Sequence, residues 1–151
     1  MKREFGNLLT RLFRGGTRLT DAEYYVLKTL VESLDPKLRG VVESHFEEYN
    51  LVQREVDARA LNFYRVKIGG GHPIEVTNPL VMEADEEPLV RITLAVPGEN
   101  PIHAVLTAVC GRAFCVTFDR CLPLPDFNTK PSVTDIKQSW RSEVRICERA
   151  V

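Results

Sequence analysis

The four cysteines are the first residues whose chemistry could define a site, since thiolates bind zinc and act as nucleophiles. Cys110, Cys115 and Cys121 lie close together in sequence, and Cys147 lies near the end of the chain. Structural zinc ligands usually come in short C-x2-C pairs on turns, and these cysteines do not have that spacing. The pattern therefore predicts packed thiols, with no metal site and no cofactor.

The three histidines do not form a catalytic pattern. His45 lies on an apolar helical stripe, His72 in a loop and His103 on a predicted strand, and no pair has the H-E-x-x-H spacing of a zinc hydrolase. A G-x-S-x-G nucleophile elbow is also missing. The sequence thus identifies no catalytic residue, although an active site can assemble from distant positions.

Two further runs resemble binding motifs in composition alone. The glycines at 69–71 precede an alternating strand pattern, whereas a phosphate loop precedes a helix, so they predict a flexible connection. The carboxylates between residues 83 and 87 do not follow the D-x-[DN]-x-[DN]-G pattern of a calcium loop. They predict a solvated turn, with a docking patch for a basic partner as the alternative.

Aromatic and basic residues are the best candidates for binding. Trp140, the only tryptophan, precedes Arg141, and these two residue types are strongly enriched at binding hot spots. The alternative role for Trp140 is to fill one edge of the core. Asn62, Tyr64 and Arg91 form a second candidate group, which would line a pocket between the third predicted helix and the sheet.

Helical spacing organises the first third of the chain. A first helix over residues 5–13 has a basic outer face and ends at Gly15-Gly16, so residues 1–16 are expected to form an amphipathic helix that packs on the core, with a mobile, hinged helix as the alternative. Thr20 and Glu23 form a capping box for a second helix that ends near residue 34. Asp35-Pro36 begins a third helix, whose apolar stripe extends toward Val52.

From residue 60 onward the apolar residues alternate, which is typical of strands. The predicted strands are Leu61 to Ile68, Ile74 to Val76, Leu89 to Val96, Ile102 to Val109 and Ala113 to Phe118. Short connections between the last three predict an antiparallel meander. The chain is therefore expected to be one α+β domain over residues 1–151, with about three N-terminal helices packed on a C-terminal antiparallel sheet.

Two details of the second half are predicted from local pattern. Whether the two-residue turn is 110–111 or 111–112, strict alternation places the bulky residues of the hairpin on one face and the small ones on the other, so we expect both faces to be covered there. The bulky set is Val105, Val109, Phe114, Val116 and Phe118. After a proline-rich loop, residues 133–144 fit either a helix capped by Thr134, which is the preferred prediction, or an edge strand.

Composition limits the classes of function. The 151 residues are 44% apolar and 27% charged with a net charge of −1, which predicts a globular domain without a field that attracts nucleic acid or membranes. No apolar run approaches the roughly 20 residues of a membrane span. The N-terminus lacks the apolar core of a secretory signal, so we expect a cytoplasmic protein with reduced thiols.

The absence of a catalytic motif favours one functional class. The sequence predicts a non-enzymatic interaction domain that binds another protein or its own copy. The alternative is a small enzyme or ligand-binding domain that uses the pocket beside the third helix.

Overall fold

The computed structural model describes residues 1–6, 16–67 and 72–139. These residues form helices α1 (Asp21–Glu32) and α2 (Pro36–Glu48) and six strands. The strands are β1 (Leu51–Arg54), β2 (Ala60–Tyr64), β3 (Glu86–Ala95), β4 (Ile102–Val109), β5 (Arg112–Phe118) and β6 (Ser132–Gln138). They form one antiparallel sheet in the order β1-β2-β5-β4-β3-β6. The predicted α+β class is confirmed.

Both helices begin where their caps predict. The Thr20 side chain accepts a hydrogen bond from the N–H of Glu23 at 3.1 Å, and the Glu23 carboxylate accepts one from the N–H of Thr20 at 2.8 Å. Asp35 caps α2 by accepting from the N–H of Lys37 at 3.0 Å. The third predicted helix ends before Val52, which lies instead on the short strand β1.

The described residues contain two N-terminal helices where about three were predicted. Most of the predicted first helix, residues 7–13, lies outside the described residues. Residues 1–6 are not helical: Glu4 forms an isolated bridge with Arg18, and the carbonyl of Arg3 accepts from the N–H of Leu19 at 3.2 Å. Phe5 is fully buried, with its ring 5.2 Å from that of Phe63. A strand pairing and a core contact hold this segment.

The sheet contains the predicted meander and one strand that was not predicted. β3, β4 and β5 pair antiparallel in succession, as expected. β1 has only four residues, too few for alternation to identify, and it pairs with β2. Residues 74–76, predicted as a strand, belong to no strand of the described sheet, although Val76 is buried.

A β-bulge in β5 corrects the predicted faces of the hairpin. Ala113 pairs with Ala108, but the next pair along the ladder is Cys115 with Thr107, so Phe114 is an extra residue. Val116 and Phe118 are therefore turned to the side of Leu106 and Ala104, which is the buried side. A bulge reverses the alternation beyond it, which is why the prediction from strict alternation was wrong.

The helices cover one face of the sheet, which we call the inner face. α1 packs on β3 and β4, and α2 packs on β5. The ring of Phe46 on α2 lies 4.9 Å from that of Phe63 on β2. Neither helix covers the opposite face, which we call the outer face, so the expectation that both faces are covered at the hairpin stays a prediction.

The segment for which a last helix was preferred is the edge strand β6. It pairs antiparallel with β3, and all of its residues are exposed. The β-branched residues Val133, Thr134 and Ile136 favour this conformation, and the backbone groups of β3 need a partner. Residues 140–144 lie outside the described residues. In the described part of the chain, no helix combines the length and apolarity needed to cross a membrane.

Candidate functional site

Alternation along the strands decides which side chains form the outer face. Asn62 and Tyr64 flank the buried Phe63, so both project away from α2. Arg91 lies between the buried residues Val90 and Ile92 and projects to the same side. The structure therefore places the predicted group on one face, but on the side opposite to the pocket proposed for it. The inner face beside α2 is filled by core side chains.

Three side chains on the outer face form a stacked group, Tyr64, Arg112 and Phe114, which we call the Arg112 cluster. The rings of Tyr64 and Phe114 meet edge to face, with centroids 5.1 Å apart. The Arg112 guanidinium lies 4.6 Å from the centroid of Phe114 and 5.8 Å from that of Tyr64. All three residues are half-buried. This cation–π packing restricts the arginine side chain to few orientations.

Sequence reasoning missed Arg112 and Phe114. They lie about 50 positions from Tyr64, and only the pairing of β2 with β5 brings the three together. Alternation from the buried Ala113 places Phe114 on the outer face, and the bulge after it brings Cys115 to the same side. An arginine two residues before a phenylalanine on a strand is only a weak signal of a binding site. Strand order cannot be obtained from local pattern, so the sequence does not show that Tyr64 lies beside them.

Apolar and polar groups surround the Arg112 cluster. Val105 and Val109 of β4 are half-buried on this face, and Thr107 between them is buried. Burial, together with the nearby carboxylates of Glu55 and Glu86, raises the pKa of Cys115 to about 11. The thiol is therefore protonated at neutral pH and contributes packing rather than nucleophilic chemistry.

The two arginines of the outer face form no ion pair with another described residue. Within the described part of the chain, neither Arg91 nor Arg112 has a carboxylate partner within ion-pair distance. Arg91 pairs in register with Val105 and Arg112 with Val109, four residues further along β4. The two positions are thus separated by roughly 14 Å along the strand direction.

A surface cleft of about 390 Å³ lies between α1 and the proline-rich loop. Its lining contains Asp21, Tyr24, Tyr25, Lys28, Asp126, Phe127, Lys130 and Pro131. The hydroxyl of Tyr25 donates to the carbonyl of Pro131 at 3.0 Å, and the Lys130 ammonium lies 5.6 Å from the Tyr25 ring centroid. The cleft therefore combines aromatic side chains with two lysines and two aspartates.

The remaining candidate residues from the sequence either take part in local structure or lie outside the described residues. No three His, Cys, Asp or Glu side chains among residues 1–6, 16–67 and 72–139 are grouped so that they could hold a metal ion. In the acidic run, the carboxylate of Glu87 accepts from the N–H groups of Glu83 and Ala84, which stabilises a turn. Trp140, Arg141 and Cys147 lie outside the described residues, so the hot spot at Trp140 and Arg141 stays a prediction.

The chain was compared with protein-family models, with curated proteins and with solved structures, and none of them matches. A function for this chain therefore has to be argued from its own residues. The outer face and the cleft are the two surfaces of the described structure that offer aromatic and basic side chains together.

Proposed function

We propose that this chain is a protein-interaction domain that binds its partner on the outer face of the sheet, at the Arg112 cluster. The observation that carries the proposal is the Arg112 guanidinium, which is stacked on two aromatic rings and has no hydrogen bond or ion pair with another described residue. An arginine held in this way presents its N–H donors to an incoming group at little further cost in side-chain entropy.

The chemistry of the face defines the partner. A carboxylate is the group that matches the planar donor fork of an arginine, and Arg91 offers a second positive charge on the same face. The half-buried rings of Tyr64 and Phe114 and the side chains of Val105 and Val109 suit an apolar side chain next to that carboxylate. The proposed partner is a protein segment that presents an acidic residue beside an aromatic or aliphatic one.

Residue composition supports binding rather than catalysis at this face. Tyrosine and arginine are enriched at interaction hot spots, particularly where surrounding apolar residues exclude water. Cys115 lies on the same face as the cluster, and the raised pKa of its thiol keeps it protonated at neutral pH. Asn62 donates to the Glu55 carboxylate at 3.5 Å and lies at the periphery of the cluster.

The experiment is selection of ligands from a displayed library of random linear peptides, followed by NMR titration of the selected peptides into isotope-labelled protein. We expect selected peptides to carry Asp or Glu beside an apolar residue, and the shift changes to centre on Tyr64, Arg112 and Phe114. Arg112→Ala should weaken binding at least tenfold, about 1.4 kcal/mol. Arg59→Ala is the matched control, because Arg59 is exposed in the connection between β1 and β2.

Peptides without acidic residues, or binding that Arg112→Ala leaves unchanged, would contradict the proposal. Shift changes confined to β6 or to the cleft beside α1 would likewise move the binding surface away from the outer face.

A second candidate function is binding of a small molecule in the cleft between α1 and the proline-rich loop. The observation that favours it is the cleft volume of about 390 Å³, which lies in the range of small-molecule sites. Tyr25, Phe127 and Lys130 suit an aromatic anion. Titration with benzoate as a probe should then shift these residues, and Lys130→Ala should abolish the shifts while Lys37→Ala, on α2, should not.

A further inference from the structure

We propose that the edge strand β6 pairs with β6 of a second copy of this chain, in an antiparallel register centred on Ile136. Two sheets would join into one continuous sheet around a two-fold axis. The proposal does not depend on the outer-face function, because it uses the backbone edge of β6 and the residues Asp135, Ile136 and Lys137.

The hydrogen bonding of β6 shows which of its backbone groups face the open edge. The N–H of Ser139 donates to the carbonyl of Leu89 at 3.1 Å, so the pair 139 with 89 is hydrogen-bonded. The register continues without a shift through Lys137 with Arg91 to Asp135 with Thr93. Since hydrogen-bonded and non-bonded pairs alternate in an antiparallel ladder, residues 135, 137 and 139 bond to β3. The N–H and C=O of Ile136 and Gln138 therefore point to the opposite edge.

This arrangement is self-complementary around Ile136. When Ile136 faces Ile136 of a second copy, each N–H donates to the other's carbonyl, which gives a hydrogen-bonded pair on the axis. The neighbouring positions then pair Asp135 of one copy with Lys137 of the other, twice by symmetry. An isologous interface requires this kind of reciprocal match.

Charge favours this register over the two neighbouring ones. A two-fold axis at residue 135 would oppose two aspartates, and an axis at residue 137 would oppose two lysines. Like charges directly opposite each other destabilise a strand pair, whereas unlike charges stabilise it. Charged edge strands normally prevent pairing, because most registers juxtapose like charges. Here the same charges permit the register centred on Ile136.

The charges within one copy also favour pairing with a second copy. Lys137 lies directly across from Arg91 on β3, so two positive side chains face each other on the outer face. The only carboxylate within ion-pair distance of Lys137 among the described residues is that of Asp135 on the same strand, at 3.9 Å. Pairing with a second copy places another Asp135 on the open side of Lys137, which offsets the repulsion from Arg91.

Exposed apolar side chains on the same strand also favour pairing. Ile136 is 47% exposed and Val133 is 38% exposed, and both are among the few large apolar residues of the described chain left in solvent. In the proposed pair the two Ile136 side chains meet on the inner side of the joined sheet. Their apolar surface would then leave water, which adds to the backbone hydrogen bonds.

The experiment is sedimentation equilibrium of the full chain and its charge variants. We expect wild type to show a monomer–dimer equilibrium. Asp135→Lys opposes two pairs of lysines and Lys137→Asp two pairs of aspartates, so each variant alone should dissociate at least tenfold more readily. An equal mixture of the two variants should associate, because the introduced lysine of one copy then faces the introduced aspartate of the other. Restored association of the mixture excludes simple misfolding of either variant.

Two controls separate this interface from the outer-face site. Arg112→Ala should leave the dimer unchanged, and the Asp135→Lys variant should still bind peptides selected for the outer face. Amide exchange at Ile136 and Gln138 should slow as protein concentration rises.

Three results would overturn the proposal. One is a wild-type protein that stays monomeric at about 1 mM. At this concentration even a dimer with an association free energy of only about 4 kcal/mol would be detected. Another is a dimer whose dissociation constant neither Asp135→Lys nor Lys137→Asp changes. The third is a monomer whose Ile136 and Gln138 amides exchange slowly, which would mean that another segment of the chain covers this edge.

Discussion

The Nδ1 atom of His45 accepts a hydrogen bond of 3.1 Å from the backbone N–H of Ala113. The other ring nitrogen, Nε2, lies 2.6 Å from the carbonyl oxygen of Asn78. These partners require a neutral ring with its proton on Nε2, since a charged ring would direct an N–H at the Ala113 donor. The buried histidine therefore links α2, the tip of the β4–β5 hairpin and the segment before β3.

Burial lowers the pKa of His45, although the Asn78 carbonyl and the Glu48 carboxylate oppose this effect. In the unfolded chain the ring binds a proton near pH 6.5. The stability that neutral His45 contributes is thus complete above pH 6.5 and declines as the pH falls from there toward the folded-state pKa. We expect a slope approaching about 1.4 kcal/mol per pH unit in this window.

The measurement is urea unfolding of wild type and His45→Gln from about pH 7.5 to about pH 5, a range that brackets the unfolded-state pKa. The glutamine amide can accept from Ala113 and donate to Asn78 but does not titrate. The difference between the two proteins cancels the contributions of other titrating groups. Parallel stability curves for the two proteins would show that His45 is not the source of the slope.

The hairpin turn should respond in opposite ways to substitution at its two positions. Cys110 and Gly111 both have positive φ, 47° and 81°, which matches a two-residue turn of type I′. Cys110→Gly should stabilise the protein by about 0.5–1 kcal/mol, because it removes left-handed strain. Gly111→Ala should destabilise it by about 2 kcal/mol or more, since its Cβ would lie 2.9 Å from the carbonyl oxygen of Leu80. Thermal unfolding measures both, and equal effects at the two positions would refute this assignment.

The ion pair of Glu23 and Arg54 should contribute more to the free energy of unfolding than the exposed ion pairs do. The Arg54 guanidinium contacts both carboxylate oxygens of Glu23, at 2.7 and 2.5 Å, and the Glu23 side chain is only 8% exposed. Arg54→Met leaves this carboxylate without its counter-charge and should lower the free energy of unfolding by roughly 2–3 kcal/mol. Arg59→Met, at an exposed arginine, should change it by less than about 0.5 kcal/mol.

A double variant tests the mechanism behind that loss. If the uncompensated charge is responsible, Glu23→Gln should recover part of the stability lost in Arg54→Met. A double variant that loses the sum of the two single effects would mean that the pair is not coupled.

Cys115 should react much more slowly than the exposed thiols. With a pKa of about 11, only about one thiol in a thousand is ionised at pH 8. Cys121 is exposed and serves as the comparison. In two single-cysteine variants, a disulfide reagent should label the Cys121 protein at least tenfold faster, and the rates should converge in denaturant. Equal rates in the folded proteins would show that Cys115 is accessible and ionised.

Local sequence accounts for much of the fold. The capping box of Thr20 and Glu23 and the Asp35-Pro36 start lie within one helical turn, so the interactions that begin α1 and α2 involve neighbours in sequence. The two-residue connection between β4 and β5 likewise leaves antiparallel pairing as the available geometry. These elements were predicted because a few adjacent residues decide them.

The candidate sites depended on contacts between distant residues. Tyr64 meets Phe114 because β2 pairs with β5 rather than with β3, and no local pattern encodes that choice. The residues of β6 fit a helix and a strand almost equally, and pairing with β3 decided between them. The bulge at Phe114 reversed the faces of Val116 and Phe118 for a similar reason, since the register is set by the whole sheet and its core.

The sequence by itself thus determined the α+β class, the helix starts, the β3–β4–β5 meander and the balance of charge, because these follow from short-range hydrogen bonding and from composition. Only the tertiary structure decided strand order, which side chains share the outer face, and which backbone edge of β6 has no partner strand among the described residues. Those features arise from long-range pairing, in which residues far apart in the chain compete for the same hydrogen bonds and the same buried face.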